Sequence, residues 1–231
     1  MAVNLFSIFY RVGMHFIAGP TAGPGGEVRN QPGSGIYTNC YMDVSPCAIK
    51  VDAVAPDAGV SFVNGMFMSG VEVAPTNRGQ VKFTACAFYG MKDIVSHAKI
   101  EGRGAVFFES CHFGPWDGHG DGAACIDANG ARLLVNGCEF NGSRRGQYAV
   151  ALGPRTRSAV ISSNLMPCGV HIRNHAPKNA GVEIGLNAAE PDSGFLRKWT
   201  AIGPFPNPDV PSPMPGHASR AGFDTDYLAA V

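Results

Sequence analysis

The sequence predicts an all-β protein built as a parallel β-helix of about six or seven rungs, followed by a proline-rich C-terminal arm. Three observations carry this. A short pattern recurs along the chain at steps of 21 to 27 residues, its members are strand-like with no helical period, and turn residues abound where charge is sparse. Gly (30) and Pro (17) make up about a fifth of the 231 residues, while only 16% are charged. The 18 basic and 18 acidic residues cancel. That balance argues against a nucleic-acid partner, which would demand a basic excess, and the 45% hydrophobic content argues against a disordered chain.

Residues 1–195 read as the β-helix domain and 196–231 as the arm. At the start, Ala2 to Ala18 is apolar, yet Arg11 and His15 interrupt it and no basic segment precedes it. It is thus neither a signal peptide nor a membrane span, which needs about 18 uninterrupted apolar residues. Phe6 to Ile17 instead has the look of a rung.

The rung motif is plainest from Tyr37 onward. Its members are 37–42, 61–67, 82–88, 107–113, 134–140 and 161–166, ending on Met42, Phe67, Phe88, Phe113, Phe140 and Met166. A second strand follows each after a variable loop: 48–51, 71–73, 97–100, 124–126, 149–152 and 170–172. Apolar and polar residues tend to alternate in them, as one inward-facing side requires. Units of this length with two or three short strands fit one solenoid turn, and a propeller blade would need about 40 residues. Beyond Gly203 the run of prolines at 204, 206, 208, 211, 213 and 215 excludes helix and central strand alike.

Cys40, Cys86, Cys111 and Cys138 fall on one repeat position, filled by Gly65 and Asn164 in other rungs. Stacked at about 4.8 Å per rung they form a column of core thiols. Seven cysteines is an odd number, and none has a zinc-type spacing. Adjacent Cα atoms in such a column lie within bridging range, but the expectation is free thiols.

With this rung motif, together with Glu101-Gly102-Arg103-Gly104 and Cys125-Ile126-Asp127-Ala128, the chain resembles the right-handed parallel β-helix proteins of the pectate-lyase-like superfamily. It is most similar to the glycosyl hydrolase family 28-related members. The likeness runs from Tyr37 to Leu186. It implies a right-handed coil, an extracellular or periplasmic setting, and either the C-terminal part of a longer architecture or a minimal version of it. Gly118-His119-Gly120 matches a short polygalacturonase motif. That family's Asn-Thr-Asp, Asp-Asp and Arg-Ile-Lys elements are absent, as is the pectate-lyase Trp-Ile-Asp-His run.

In a β-helix, equivalent loops of successive rungs project from one side. The loops after the Phe position bring Lys92 and Asp93, then Trp116, Asp117, His119 and Asp121, then Arg144 and Arg145 to one patch. Two carboxylates across a glycosidic bond supply acid and base or nucleophile. Asp117 and Asp121 are therefore the expected catalytic pair, with His119 assisting. Trp116 would stack on sugar, and Lys92, Asp93, Arg144 and Arg145 would bind substrate. The same loop also reads as a polar, glycine-rich surface excursion. Arg78, Arg103, Arg155, Arg157 and Arg173 form a second column, read chiefly as partners for Glu101 and Asp127 and otherwise as binding an anionic polysaccharide.

The leading expectation is hydrolysis of an extended, acidic polysaccharide by a monomer or homotrimer, with no cofactor and no membrane or nucleic-acid partner. A polysaccharide lyase, which would use Ca2+, is the second enzymatic reading. The non-enzymatic one is a glycan-binding, adhesion or assembly module.

Overall fold

Alternating side chains along each repeat leave one set facing inward and one outward, and only a coil of strands can bury every inward set against its copies. The computed structural model describes residues 2–90, 94–144, 146–166 and 171–189, and the expected arm over 196–231 lies outside them. Among the described residues every regular element is a strand, without helix. Three parallel sheets wrap the core. Sheet A has eight strands: Ala2–Val3, Gly35–Thr38, Val60–Val63, Val81–Thr84, Ala105–Glu109, Arg132–Asn136, Ser158–Ser162 and Gly181–Gly185. Sheet B has eight short ones, from Phe6–Ile8 and Tyr41–Asp43 through Met66–Phe67, Ala87–Phe88, His112–Phe113 and Glu139–Phe140 to Leu165–Met166 and Ala188–Ala189. Sheet C has seven: Val12–Phe16, Cys47–Val51, Val71–Val73, Ala98–Ile100, Ala124–Ala128, Tyr148–Leu152 and His171–Asn174. From first to last strand of sheet C the chain makes about six turns, a parallel β-solenoid. An antiparallel hairpin, Ala18–Ala22 with Val28–Pro32, branches from the first rung.

The register follows the sequence repeat. Met42, Phe67, Phe88, Phe113 and Phe140 pair in order across sheet B, and Tyr37, Phe62, Phe83, Phe108, Val135 and Ile161 across sheet A. The rings stack along each column: Phe62, Phe83 and Phe108 at 5.1 Å per step, and Phe88, Phe113 and Phe140 at 4.8 Å. Between columns they meet edge to face, as Phe83 does Phe88 at 5.4 Å and 74°. Both geometries suit the aromatic quadrupole and add to the area buried.

The corner between sheets A and B is always two residues. The first stands in the left-handed region in all eight rungs: Asn4, Asn39, Asn64, Ala85, Ser110, Gly137, Ser163 and Leu186, with φ between 52° and 64°. The second is buried as the thiol column in Cys40, Cys86, Cys111 and Cys138 and as Asn164, while Leu5 in the first rung is exposed. Each thiol works as a small polar bridge. Cys86 Sγ donates to the carbonyls of Thr84 (3.4 Å) and Phe62 (3.5 Å), and accepts from the Gly65 N–H at 3.4 Å. Asn164 does the same job, accepting from the Cys138 N–H at 2.9 Å and donating to the Val135 carbonyl at 3.1 Å. The six described cysteines are free and buried, so the ladder is one of thiols rather than disulfides. Burial holds the Cys47 thiol up at about 11 and raises Cys125 well above its ordinary value.

A candidate functional groove over sheet C

The loop expected to carry catalysis is held from within. Asp117 is 5% exposed and φ there is 54°. Its carboxylate accepts from the N–H groups of Gly122 and Ala123, each at 3.3 Å, and meets Arg144 Nη2 at 3.3 Å. Arg144 also donates to the Asp117 carbonyl. Gln147 ties the next rung in, donating to the Trp116 carbonyl at 2.9 Å and accepting from the Arg144 N–H at 2.8 Å. Asp117 and Arg144 thus brace the loop, and the Asp117 oxygens are spent on it. Trp116 is corrected outright: it is 1% exposed and packs edge-on against Phe140 at 6.4 Å, so no sugar can reach its face. A ring that large completes the core where the long loop would otherwise leave a void. His119 and Asp121 sit exposed at the loop tip. Lys92, Asp93 and Arg145 lie outside the described residues.

Behind Trp116, His97 is wholly buried, its Nε2 3.1 Å from the carbonyls of both Gly114 and Pro115. Carbonyls only accept, so Nε2 carries the proton. Nδ1 is buried without a partner. Burial, the larger effect, outweighs those two contacts and holds the ring down at about 4, so it stays neutral.

The accessible chemistry gathers elsewhere. On the outer face of sheet C the register places Lys50, Glu72, Lys99, Asp127, Ala151 and Arg173 in one column. Over it lies a groove of about 670 Å³, walled by the loops at Val44–Pro46, Met68–Gly70, Ile94–Ser96 and Ala123, with Glu72, Lys99, Asp127 and Arg173 on its floor. Sequence reasoning puts Arg173 in a column of arginines that either pairs with Glu101 and Asp127 or binds an anionic polysaccharide, with pairing preferred. Among the described residues no ion pair joins the floor side chains, whereas Arg155 does pair with Glu101 at 3.4 Å and His112 with Glu139 at 3.0 Å. Arg173 lies over the Tyr148 ring at 4.7 Å. Glu72 and Asp127 are two rungs apart, ~9.6 Å between backbones at the usual strand spacing of about 4.8 Å. The one signal that could have found this column was the central residue of each second strand, polar in most rungs.

Among the described residues no group of three or more His, Cys, Asp or Glu side chains could hold a metal ion, so the Ca2+ of a lyase has no acidic cluster there. Comparison with protein-family models, with curated proteins and with solved structures finds no match to this chain.

Proposed function

We propose that the protein binds an extended polysaccharide lengthwise in the groove over sheet C, as the resemblance to pectate-lyase-like β-helices implies. The observation that carries the reading is the column Glu72, Lys99, Asp127 and Arg173 on the groove floor, which no ion pair joins among the described residues. Charged side chains at rung spacing, walled by loops and not neutralising one another in contact, offer repeating polar sites to a repeating polymer. Lys99 and Arg173 would hold acidic groups, and Glu72 and Asp127 would accept from hydroxyls.

A second reading is hydrolysis in the same groove, favoured by the spacing of Glu72 and Asp127. Inverting enzymes hold their two carboxyl groups about 6.5–9.5 Å apart, leaving room for water beneath the sugar. A two-rung separation lets the side chains close to that range. Glu72 and Asp127 then replace Asp117 and Asp121 as the pair. Binding of an acidic and a neutral glycan panel, with reducing ends followed in parallel, tests both readings. Lys99→Ala together with Arg173→Ala should weaken binding at least tenfold; unchanged affinity refutes the groove. Loss of reducing-end release in Glu72→Gln and Asp127→Asn, with binding kept, supports hydrolysis, and binding without release by the wild type refutes it.

A further inference from the structure

The outer face of sheet A carries a surface that the groove does not use. On five successive strands the register sets Lys82, Phe107, Leu134, Val160 and Glu183 in one outward column. The residues on either side of it along each strand face the core, as Val81 and Phe83 do beside Lys82. Phe107 and Leu134 are half-buried, Val160 is 42% exposed, and Lys82 lies over the Phe107 ring at 5.6 Å. Three large apolar side chains on adjacent rungs thus form a stripe with a cation at one end and a carboxylate at the other. The next outward column on the same strands, Thr84, Glu109, Asn136, Ser162 and Gly185, has no large apolar member. An apolar centre with a polar rim is the anatomy of a protein interface.

The order of charges along the stripe makes it complementary to itself reversed. Two such sheets packed face to face lie about 10 Å apart. A two-fold axis between them, running along the Arg132–Asn136 strand, turns one coil end for end. Leu134 then meets its own copy, Phe107 meets the partner's Val160, and Lys82 meets the partner's Glu183, once at each end. In the polar column Glu109 meets the partner's Ser162, so no like charges oppose there. Arg132, beside the axis, is exposed and carries its guanidinium out to water along its stem. A two-fold axis along the coil would instead set Lys82 against the partner's Lys82 and Glu183 against the partner's Glu183. Three parallel coils around this face would gather the same like charges, which repel. We propose that the outer face of sheet A is an interface for a second copy of this chain, packed antiparallel about Leu134.

Sedimentation equilibrium of the full chain, at concentrations up to about 100 µM, tests this. The wild type should be a dimer. Lys82→Glu and Glu183→Lys should each raise its Kd roughly tenfold or more, because each sets like charges together at both ends. The two variants mixed should pair with each other as the wild type does, and the double reversal Lys82→Glu with Glu183→Lys should dimerise again. In a parallel pair the double reversal would still oppose like charges. Leu134→Ser, at the axis on an outward-facing position, should also raise Kd roughly tenfold or more, with the circular dichroism spectrum unchanged. A wild-type monomer or trimer, a dimer that Leu134→Ser and both single reversals leave intact, or a double reversal no tighter than the single ones would overturn the interface.

Discussion

At the scale of single residues, the chain buries groups whose protonation the fold depends on. His97 is neutral inside the core with its folded-state value held near 4, against about 6.5 for an unfolded histidine. The unfolded chain therefore binds the proton first as pH falls. Stability contributed by neutral His97 is complete above about pH 6.5, declines between about 6.5 and 4, and is gone below. The loss is about 3 kcal/mol. Urea midpoints at pH 7.5, 5.5 and 4 measure it, and His97→Gln should flatten that part of the profile. The loop braced by Asp117 shows why composition misled at this scale. Trp, Asp and Arg are site-like residue types, but at 116, 117 and 144 they fill and tie a long loop. Nothing in their spacing distinguishes a buried Asp117 accepting backbone N–H groups from an exposed one.

At the scale of the element, the A-to-B corner sets the geometry. Asn39 donates to Asn4 at 3.1 Å and Asn64 to Asn39 at 2.8 Å, so the left-handed residues of the first rungs form a short amide ladder. Ala85 breaks it at φ 52°, a conformation that costs an alanine about 1–2 kcal/mol and an asparagine less. Ala85→Asn places an amide beside Asn64 and should stabilise by about 1 kcal/mol, raising Tm by about 2–4 °C in a calorimetric scan. The strands and columns were readable in the sequence because a repeat displays the same inward residue every turn, as with Phe67, Phe88 and Phe113. The left-handed corners were harder to see: Asn, Ala, Ser, Gly and Leu share no chemistry, only a backbone angle. The groove over sheet C escaped for another reason. Successive floor residues are 27 to 46 positions apart, and their meaning comes from register, which residue types alone do not declare.

At the scale of the whole molecule, a solenoid holds each rung only by its two neighbours, so a residue in the middle is supported on both sides and one at an end on one. Phe108 is stacked on Phe83 and touches Phe88 and Phe113, with 0% exposure. Phe108→Ala should cost about 3–5 kcal/mol by chemical denaturation. Tyr37→Ala, near the first rung, should cost less because its ring is half-buried. A loss at Tyr37 equal to that at Phe108 would mean the coil melts as one block.

The constant two-residue corner has a consequence for how such a chain tolerates changes in length. The connections from sheet B to sheet C run from three residues, at 44–46, to ten, at 114–123. The corner from A to B never varies. One residue inserted at that corner would reverse the alternation of everything after it on sheet B, turning the Phe column out to solvent and the polar column in. One residue inserted at 114–123 merely lengthens a wall of the groove. Insertions and deletions are thus sorted by the coil itself, purged at one edge and admitted at the other, and the admitted ones fall where a ligand would meet them.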